Sequence, residues 1–247
     1  MSKLDYLKHS LLGMPPQIEL FVRHCHYSAI SQHKNRLPGF DRKKCYENLL
    51  KTVDLKRVRI TFLLDTFHPL DHEHFIMQQK KFPVIQTRQG SETGSFLFLL
   101  DHVIAQKFYP DTIIYLLEDD YLHREGWVDV LLEAFELPVD YVTLFDHRDK
   151  YTASSYKDLQ ARLYQTHSCH FRTTPSTTNT FAARYKTLQK DAPIHRAYSE
   201  NRTITADHEK FCHLQREGAT LISSIPGWST HVEQEFTSPC FSWESLL

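Results

Sequence analysis

Apolar residues in this chain fall into short continuous runs that alternate with stretches of helical spacing. Ile18 to Val22 reads as a first strand. Asp41 then caps a helix on which Cys45, Leu49 and Val53 recur at every fourth position. Val58 to Leu64 reads as an apolar strand that stops at Asp65, and Pro83 to Gln86 as a shorter one. Phe96, Leu99, Leu100 and Val103 predict the buried stripe of a helix starting near Ser95. Thr112 to Leu117 is again a strand, and Trp127, Val130, Leu131 and Ala134 mark the inner face of the helix after it. Tyr141 to Phe145 predicts a strand ending before Asp146. Cys169 to Arg172 and Thr180 to Ala183 flank a hydroxyl-rich loop, Thr173 to Asn179. A helix after Thr205 carries Phe211 and Leu214 and stops at Gly218, and Ala219 to Ile225 is the last strand. Strands alternating with helices imply a layered α/β domain with a mostly parallel sheet.

Such sheets bind ligands at the carboxyl ends of their strands. Val22-Arg23, Asp65, Glu118-Asp119-Asp120 and Asp146 all stand at strand ends, so they are expected to converge. The triplet is the strongest signal. Three carboxylates at the mouth of a buried strand repel one another unless something positive sits among them, and a divalent cation with oxygen ligands meets that need. Side chains alternate along a strand, so Glu118 and Asp120 share a side and Asp119 points away unless the chain turns. The plain structural alternative is an acidic helix N-terminus, with Asp120 capping the Trp127 helix.

Composition narrows the classes. The chain has 247 residues, 41% apolar and 24% charged, with a formal net charge of −1, so nothing marks a general nucleic-acid binder. No apolar run approaches the ~20 residues needed to span a bilayer, and Met1 to Gly13 lacks a secretory signal's apolar core. Five scattered Cys with no CxxC pair fit a reducing compartment, so the expected location is cytoplasmic, peripheral to a membrane at most. Asn201-Arg202-Thr203 is then an accidental sequon. With 7 Gly, neither common Gly-rich phosphate loop is present.

A strand ending in an acidic triplet, inside an alternating α/β chain of this length without a Gly-rich loop, resembles the GT-A glycosyltransferases. Two later stretches fit the same pattern: Thr205-Ala206-Asp207-His208-Glu209, opening a helix, and Ile225-Pro226-Gly227-Trp228-Ser229-Thr230-His231. The resemblance spans roughly Ile18 to Glu233. It implies a Rossmann-type sandwich in one domain, with a donor-binding part at about 15–123 and an acceptor-binding part at about 124–247. It implies Mn²⁺ or Mg²⁺ held by Asp120 and His231, with Glu118 as the other candidate ligand. It also implies a nucleotide-sugar donor, with UDP-sugar as first choice and GDP- or dTDP-sugar as alternatives. Val22, Arg23, Asp65, Arg88, Glu118 and Asp119 become candidate donor contacts. Asp207 is the candidate general base of an inverting transfer to a glycan or other hydroxyl acceptor, with Glu209 second. The chain would then be an EC 2.4-class enzyme, alone or within a larger glycan-assembly enzyme or complex. The sequence departs from the family in carrying Glu-Asp-Asp for Asp-x-Asp, and Arg23-His24-Cys25-His26 after the first strand.

Residue chemistry agrees with these roles. A guanidinium forks onto phosphate oxygens, which suits Arg23 and Arg88, although Arg88 reads equally as a surface charge. A carboxylate takes the proton of an attacking hydroxyl, while in the plainer reading Asp207 only favours a helix N-terminus. Trp228 is a sugar-stacking or core residue. Asp41-Arg42-Lys43-Lys44 and Gln79-Lys80-Lys81 read as solvated faces. The rivals are a sugar-phosphate nucleotidyltransferase, a non-catalytic nucleotide- or carbohydrate-binding module, and a zinc hydrolase built on His24, His26, His68, His72 and His74, although no HExxH motif occurs.

Overall fold

The computed structural model describes residues 17–25, 31–66 and 71–247. Its first strand, β1 (Ile18–Cys25), continues past Val22 to the cysteine. Helix α1 (Arg42–Thr52) follows, capped by the Asp41 side chain, which accepts from Lys43 N at 2.8 Å. Next come β2 (Val58–Asp65), the short helix α2 (Phe75–Gln78), β3 (Val84–Thr87) and α3 (Glu92–Ile104). Helix α3 starts three residues before Ser95, because Ser91 caps it by accepting from Gly94 N at 3.0 Å. Strand β4 (Ile113–Glu118) carries the first acid of the triplet.

A short strand, β5 (Tyr121–His123), separates the triplet from α4 (Trp127–Ala134). Asp120 therefore does not cap α4; that position belongs to Gly126, at φ 85°. Strand β6 (Tyr141–Thr143), α5 (Asp149–Thr152), β7 (Leu163–Gln165), β8 (His170–Thr173) and β9 (Phe181–Arg184) come next. Helices α6 (Tyr185–Ala197) and α7 (Asp207–Arg216) precede β10 (Leu221–Ile225) and β11 (Ser229–His231). Helix α6 is absent from the apolar pattern for a physical reason. Pro193 interrupts it, and Asp191 and His195 occupy part of its buried face, each within hydrogen-bond reach of the Tyr141 hydroxyl (2.8 and 3.1 Å).

Among the described residues one sheet has the order β3-β2-β1-β4-β9-β6-β10-β8-β7. Strand β9 runs against β4 and β6, and β8 runs against β10 and β7; the other strands share one direction. The sheet is thus mostly parallel, as expected. Its central strands are apolar on both sides because helices cover both sides. Ile18, Leu20, Val22, Phe62 and Tyr115 face a core shared with Leu49, Ile76, Trp127 and Leu131. Phe21, Leu63, Ile114 and Leu116 face the other core, with Phe96, Leu100, Leu188, Phe211 and Leu214. Glu19 on β1 is buried and pairs with Arg59, its register partner on β2.

A second, two-stranded sheet pairs β11 with β5, antiparallel, setting His231 opposite Tyr121. A small cluster of Leu37, Cys45, Leu122, Val232 and Trp243 anchors it. Leu37 N donates to Val232 O at 2.9 Å, and Val232 N donates to Asp120 O at 3.1 Å. These bonds bring the segments before α1 and after β11 against the end of the triplet.

Candidate functional site

A cavity of about 790 Å³ opens at the carboxyl ends of β1, β2 and β4. Its volume lies within the range of small-molecule sites. Of the expected site residues, Arg23, Asp65, Glu118, Asp119, Asp120, Asp207 and His231 all line it. Val22 is buried and does not line it. Arg88 and Glu209 are exposed and stand outside the lining, and Asp146 lies behind it, paired with Arg172 at 2.9 Å. The Thr173–Asn179 loop spends most of its polar groups inside the protein: Ser176 on Lys150, Thr177 on Thr143 and Asn179 on Glu92. Thr178 alone of this loop lines the cavity.

Asp119 does not point away from its neighbours, because the chain turns at 119–120. The positive charge that the triplet requires comes, within the protein, from three arginines. The sheet register places Arg23 beside Glu118, and Arg23 Nη2 lies 3.0 Å from its Oε1. Arg42 Nε lies 3.0 Å from Asp119 Oδ2, which also accepts from Cys25 N at 3.0 Å. Arg36 Nη1 lies 2.8 Å from Asp120 Oδ2, and His231 Nε2 lies 3.0 Å from the same oxygen. Ser31 Oγ accepts from both Arg36 and Arg42, at 2.6 and 2.9 Å. Arg42 is therefore part of the site wall and not of a solvated face. Arg36 and Arg42 lie in polar stretches of sequence, and nothing in their local pattern marks them.

Burial and these pairings set the acids apart. Burial pushes Glu118 up to about 8, against the pull of Arg23 and with a further push from Asp120, Glu92 and Asp207. Burial also raises Asp119, although Arg42 opposes it. For Asp120 burial acts in the same direction, but His231, Arg36 and Lys34 outweigh it and hold the carboxyl well below the ordinary range. Asp207 is raised by burial, with Lys210 opposing.

The far wall is organised by Glu92, which the sequence reading missed. Its Oε1 accepts from Arg23 at 3.1 Å and from Asn179 at 2.7 Å; its Oε2 accepts from the Thr205 amide and hydroxyl at 2.9 and 3.0 Å. Thr205 leads directly into Asp207 at the start of α7. One carboxylate thus joins the strand-end arginine to the helix that carries the candidate base.

The donor set fits a hard divalent ion. Asp120 and His231 supply one carboxylate and one imidazole at the cavity wall, and Mg²⁺-type ions take few protein ligands and fill the rest from phosphate and water. Seven carboxyl groups line the cavity (Asp65, Glu92, Glu118, Asp119, Asp120, Asp207 and Glu233) beside Arg23, Lys34 and Arg42. Among the described residues no three His, Cys, Asp or Glu side chains are grouped to hold a metal. In the histidine set read as a zinc site, His24 is buried with neither ring nitrogen bonded, and burial pushes it down to about 3. His72 is exposed, and His74 caps α2, with its Nδ1 accepting from Ile76 N at 3.2 Å. His26 and His68 lie outside the described residues. No described helix is long and apolar enough to cross a membrane.

The sequence matches no protein-family model and no curated protein. Solved structures similar to this chain include CMP:2-keto-3-deoxy-manno-octonic acid synthetase complexed with CTP, at 16% identity and TM-score 0.49, covering 85% of this chain and 92% of that one. S. aureus TarS 1–349 is similar at 14% identity and TM-score 0.48, covering 83% of this chain and 57% of that one. Galactosyltransferase LgtC in complex with donor and acceptor sugar analogues is similar at 7% identity and TM-score 0.47, covering 83% and 72%. The likeness is one of general chain path. The chain is an α/β sandwich, with a mostly parallel central sheet flanked by helices and an acidic triplet leaving β4.

Proposed function

We propose that this protein is a metal-dependent glycosyltransferase that moves a sugar from a nucleotide-diphosphate sugar to a hydroxyl of a glycan-type acceptor. The observation that carries the proposal is that one cavity has the Glu118-Asp119-Asp120 triplet with His231 on one side and Asp207 on another. The donor half would span about 15–123 and the acceptor half about 124–247.

The residues have distinct tasks in this reading. Asp120 and His231 would hold Mn²⁺ or Mg²⁺, which supplies positive charge to a leaving diphosphate. Arg23 and Arg42 border the same space and have guanidinium nitrogens to offer phosphate oxygens. Asp65 accepts from Gln89 N at 2.8 Å and forms the wall on the β2 side. On the other side, Asp207 takes the proton from the acceptor hydroxyl as its oxygen bonds to the anomeric carbon. The bond from that carbon to the diphosphate oxygen breaks, and its electron pair leaves with the diphosphate. Asp207 has its proton affinity raised by burial, which strengthens it as a base. Inversion at the anomeric carbon follows from this single displacement.

A thermal-shift panel of UDP-, GDP- and dTDP-sugars with Mn²⁺ tests the donor. At least one is expected to raise the melting temperature, and Asp120→Ala should abolish the Mn²⁺-dependent part. Asp207→Ala should keep the shift and lose transfer. No shift with any donor would sink the proposal, and native transfer by Asp207→Ala would remove the base. Nucleotidyl transfer onto a sugar phosphate in place of sugar transfer, with Asp207 dispensable, would identify the sugar-phosphate nucleotidyltransferase.

A further inference from the structure

Lys210 lies on the apolar stripe of α7 beside Phe211 and Leu214, and it is fully buried. A lysine in that place costs several kcal/mol unless paired, so its partners reveal its use. Its ammonium donates to Asp207 Oδ1 at 2.8 Å and to Asn179 Oδ1. It also sits over three aromatic rings, with centroids 4.9 Å (Phe96), 5.1 Å (Phe211) and 5.7 Å (Phe181) away. Asn179 donates in turn to Glu92 at 2.7 Å, and Glu92 holds Arg23, the partner of Glu118. A continuous hydrogen-bonded path therefore runs from the triplet to Asp207.

We propose that Lys210 is a positioning residue for Asp207: it fixes one carboxylate oxygen, supplies the charge that keeps the group ionised, and ties it through Asn179 and Glu92 to the donor side of the cavity. This rests on the glycosyl-transfer reading for its consequence but not for its geometry. The Asp207 side chain stays 26% exposed on the cavity side while Lys210 is 0% exposed behind it. The base is thus open to an acceptor on one face and held on the other. The charged groups that face Asp207 are Lys210 from its own helix, Glu92 from α3, Arg23 from β1 and Glu118 from β4. Glu92 and Arg23 pair with each other, which leaves Lys210 as the cation bonded to Asp207 itself.

The test is a ¹³C-NMR titration of the Asp207 carboxyl in the full chain, its resonance assigned by its loss in Asp207→Asn. Lys210→Met removes the charge at similar volume, and Lys210→Gln keeps a hydrogen-bond donor if the first variant folds poorly. Either variant should raise the Asp207 midpoint by about one pH unit or more, a tenfold gain in proton affinity. The acid limb of any transfer activity should move by the same amount, whereas a merely structural lysine would lower the rate equally at all pH values. A midpoint unchanged in a folded variant overturns the proposal. A midpoint that moves, together with native transfer by Asp207→Asn, leaves Lys210 coupled to Asp207 and removes only the base reading.

Discussion

Glu92 is the residue whose loss should be felt most widely. At pH 7 Glu118, pushed up to about 8, is largely protonated, so Glu92 is the ionised partner of buried Arg23. Glu92→Gln keeps the shape but leaves Arg23 without a carboxylate. Removing one partner of a buried pair costs about 3–5 kcal/mol; Glu92 retains 26% side-chain exposure, so the lower end, about 3 kcal/mol, is expected. For a chain of this size 1 kcal/mol moves the melting temperature by about 2–4 °C, giving a fall of about 6–12 °C. Calorimetry of the metal-free protein at pH 7 measures it, with Glu118→Gln as the control that should cost less. The pH dependence adds a second check. Burial works against the Glu92 charge, but Arg23, Thr205 and Asn179 prevail and hold its carboxyl below the ordinary 4.5. Its contribution is therefore present above pH 4.5 and lost as pH falls through the depressed folded value, so the gap between native and Glu92→Gln should close on acidification. A melting temperature within about 2 °C of native at pH 7, or a larger loss from Glu118→Gln, would refute Glu92 as the centre of the pairing.

Glu118 should show the opposite sign: its raised folded value contributes stability that is full below pH 4.5 and lost as pH rises through about 8. Urea unfolding between pH 6 and 9 in EDTA should show that decline in the native chain and not in Glu118→Gln; equal declines would count against it. Arg36→Gln removes a cation 2.8 Å from Asp120, so Mn²⁺ binding without nucleotide, followed by EPR, should tighten by roughly tenfold. Unchanged affinity would mean that Arg36 does not compete with a metal there. Asn48 bonds both backbone groups of His123, accepting from its amide at 2.7 Å and donating to its carbonyl at 3.1 Å, which locks α1 to β5. Asn48→Ala should cost about 2–3 kcal/mol in chemical denaturation, and a loss under ~1 kcal/mol would show that β5 stands without it.

The sheet was legible where burial on both faces wrote a dense apolar run, unbroken in β4 and interrupted only by Glu19 in the first half of β1 and by Arg59 and Thr61 in β2. Strands β5 and β11 were not, because three residues carry no period; yet their pairing brings His231 to Asp120. The triplet, Asp207 and His231 share one cavity, but the electrostatic premise for a metal was incomplete. Arg23, Arg36 and Arg42 already answer the three acids, and the latter two pair through tertiary contacts that no local spacing reveals. Glu92 lies ahead of the predicted helix start near Ser95, and nothing in its local pattern marked it. Lys210 did carry a signal: it falls three residues after Asp207 and one before Phe211, on the stripe that should have been apolar.

The antiparallel ribbon of β5 and β11 also sets a clock. His231 follows Asp120 by 111 positions, and Val232 bonds the Asp120 carbonyl. At about 5–20 residues per second, a growing chain exposes Asp120 roughly 5–20 s before His231, the later of its two bonded side-chain partners, is synthesised. Until then Asp120 has Arg36 beside it but lacks the β5–β11 ribbon that brings His231 to it. The cavity is therefore among the last features of the molecule to form, and slowing synthesis between residues 123 and 229 should prolong that exposed state without altering the finished protein.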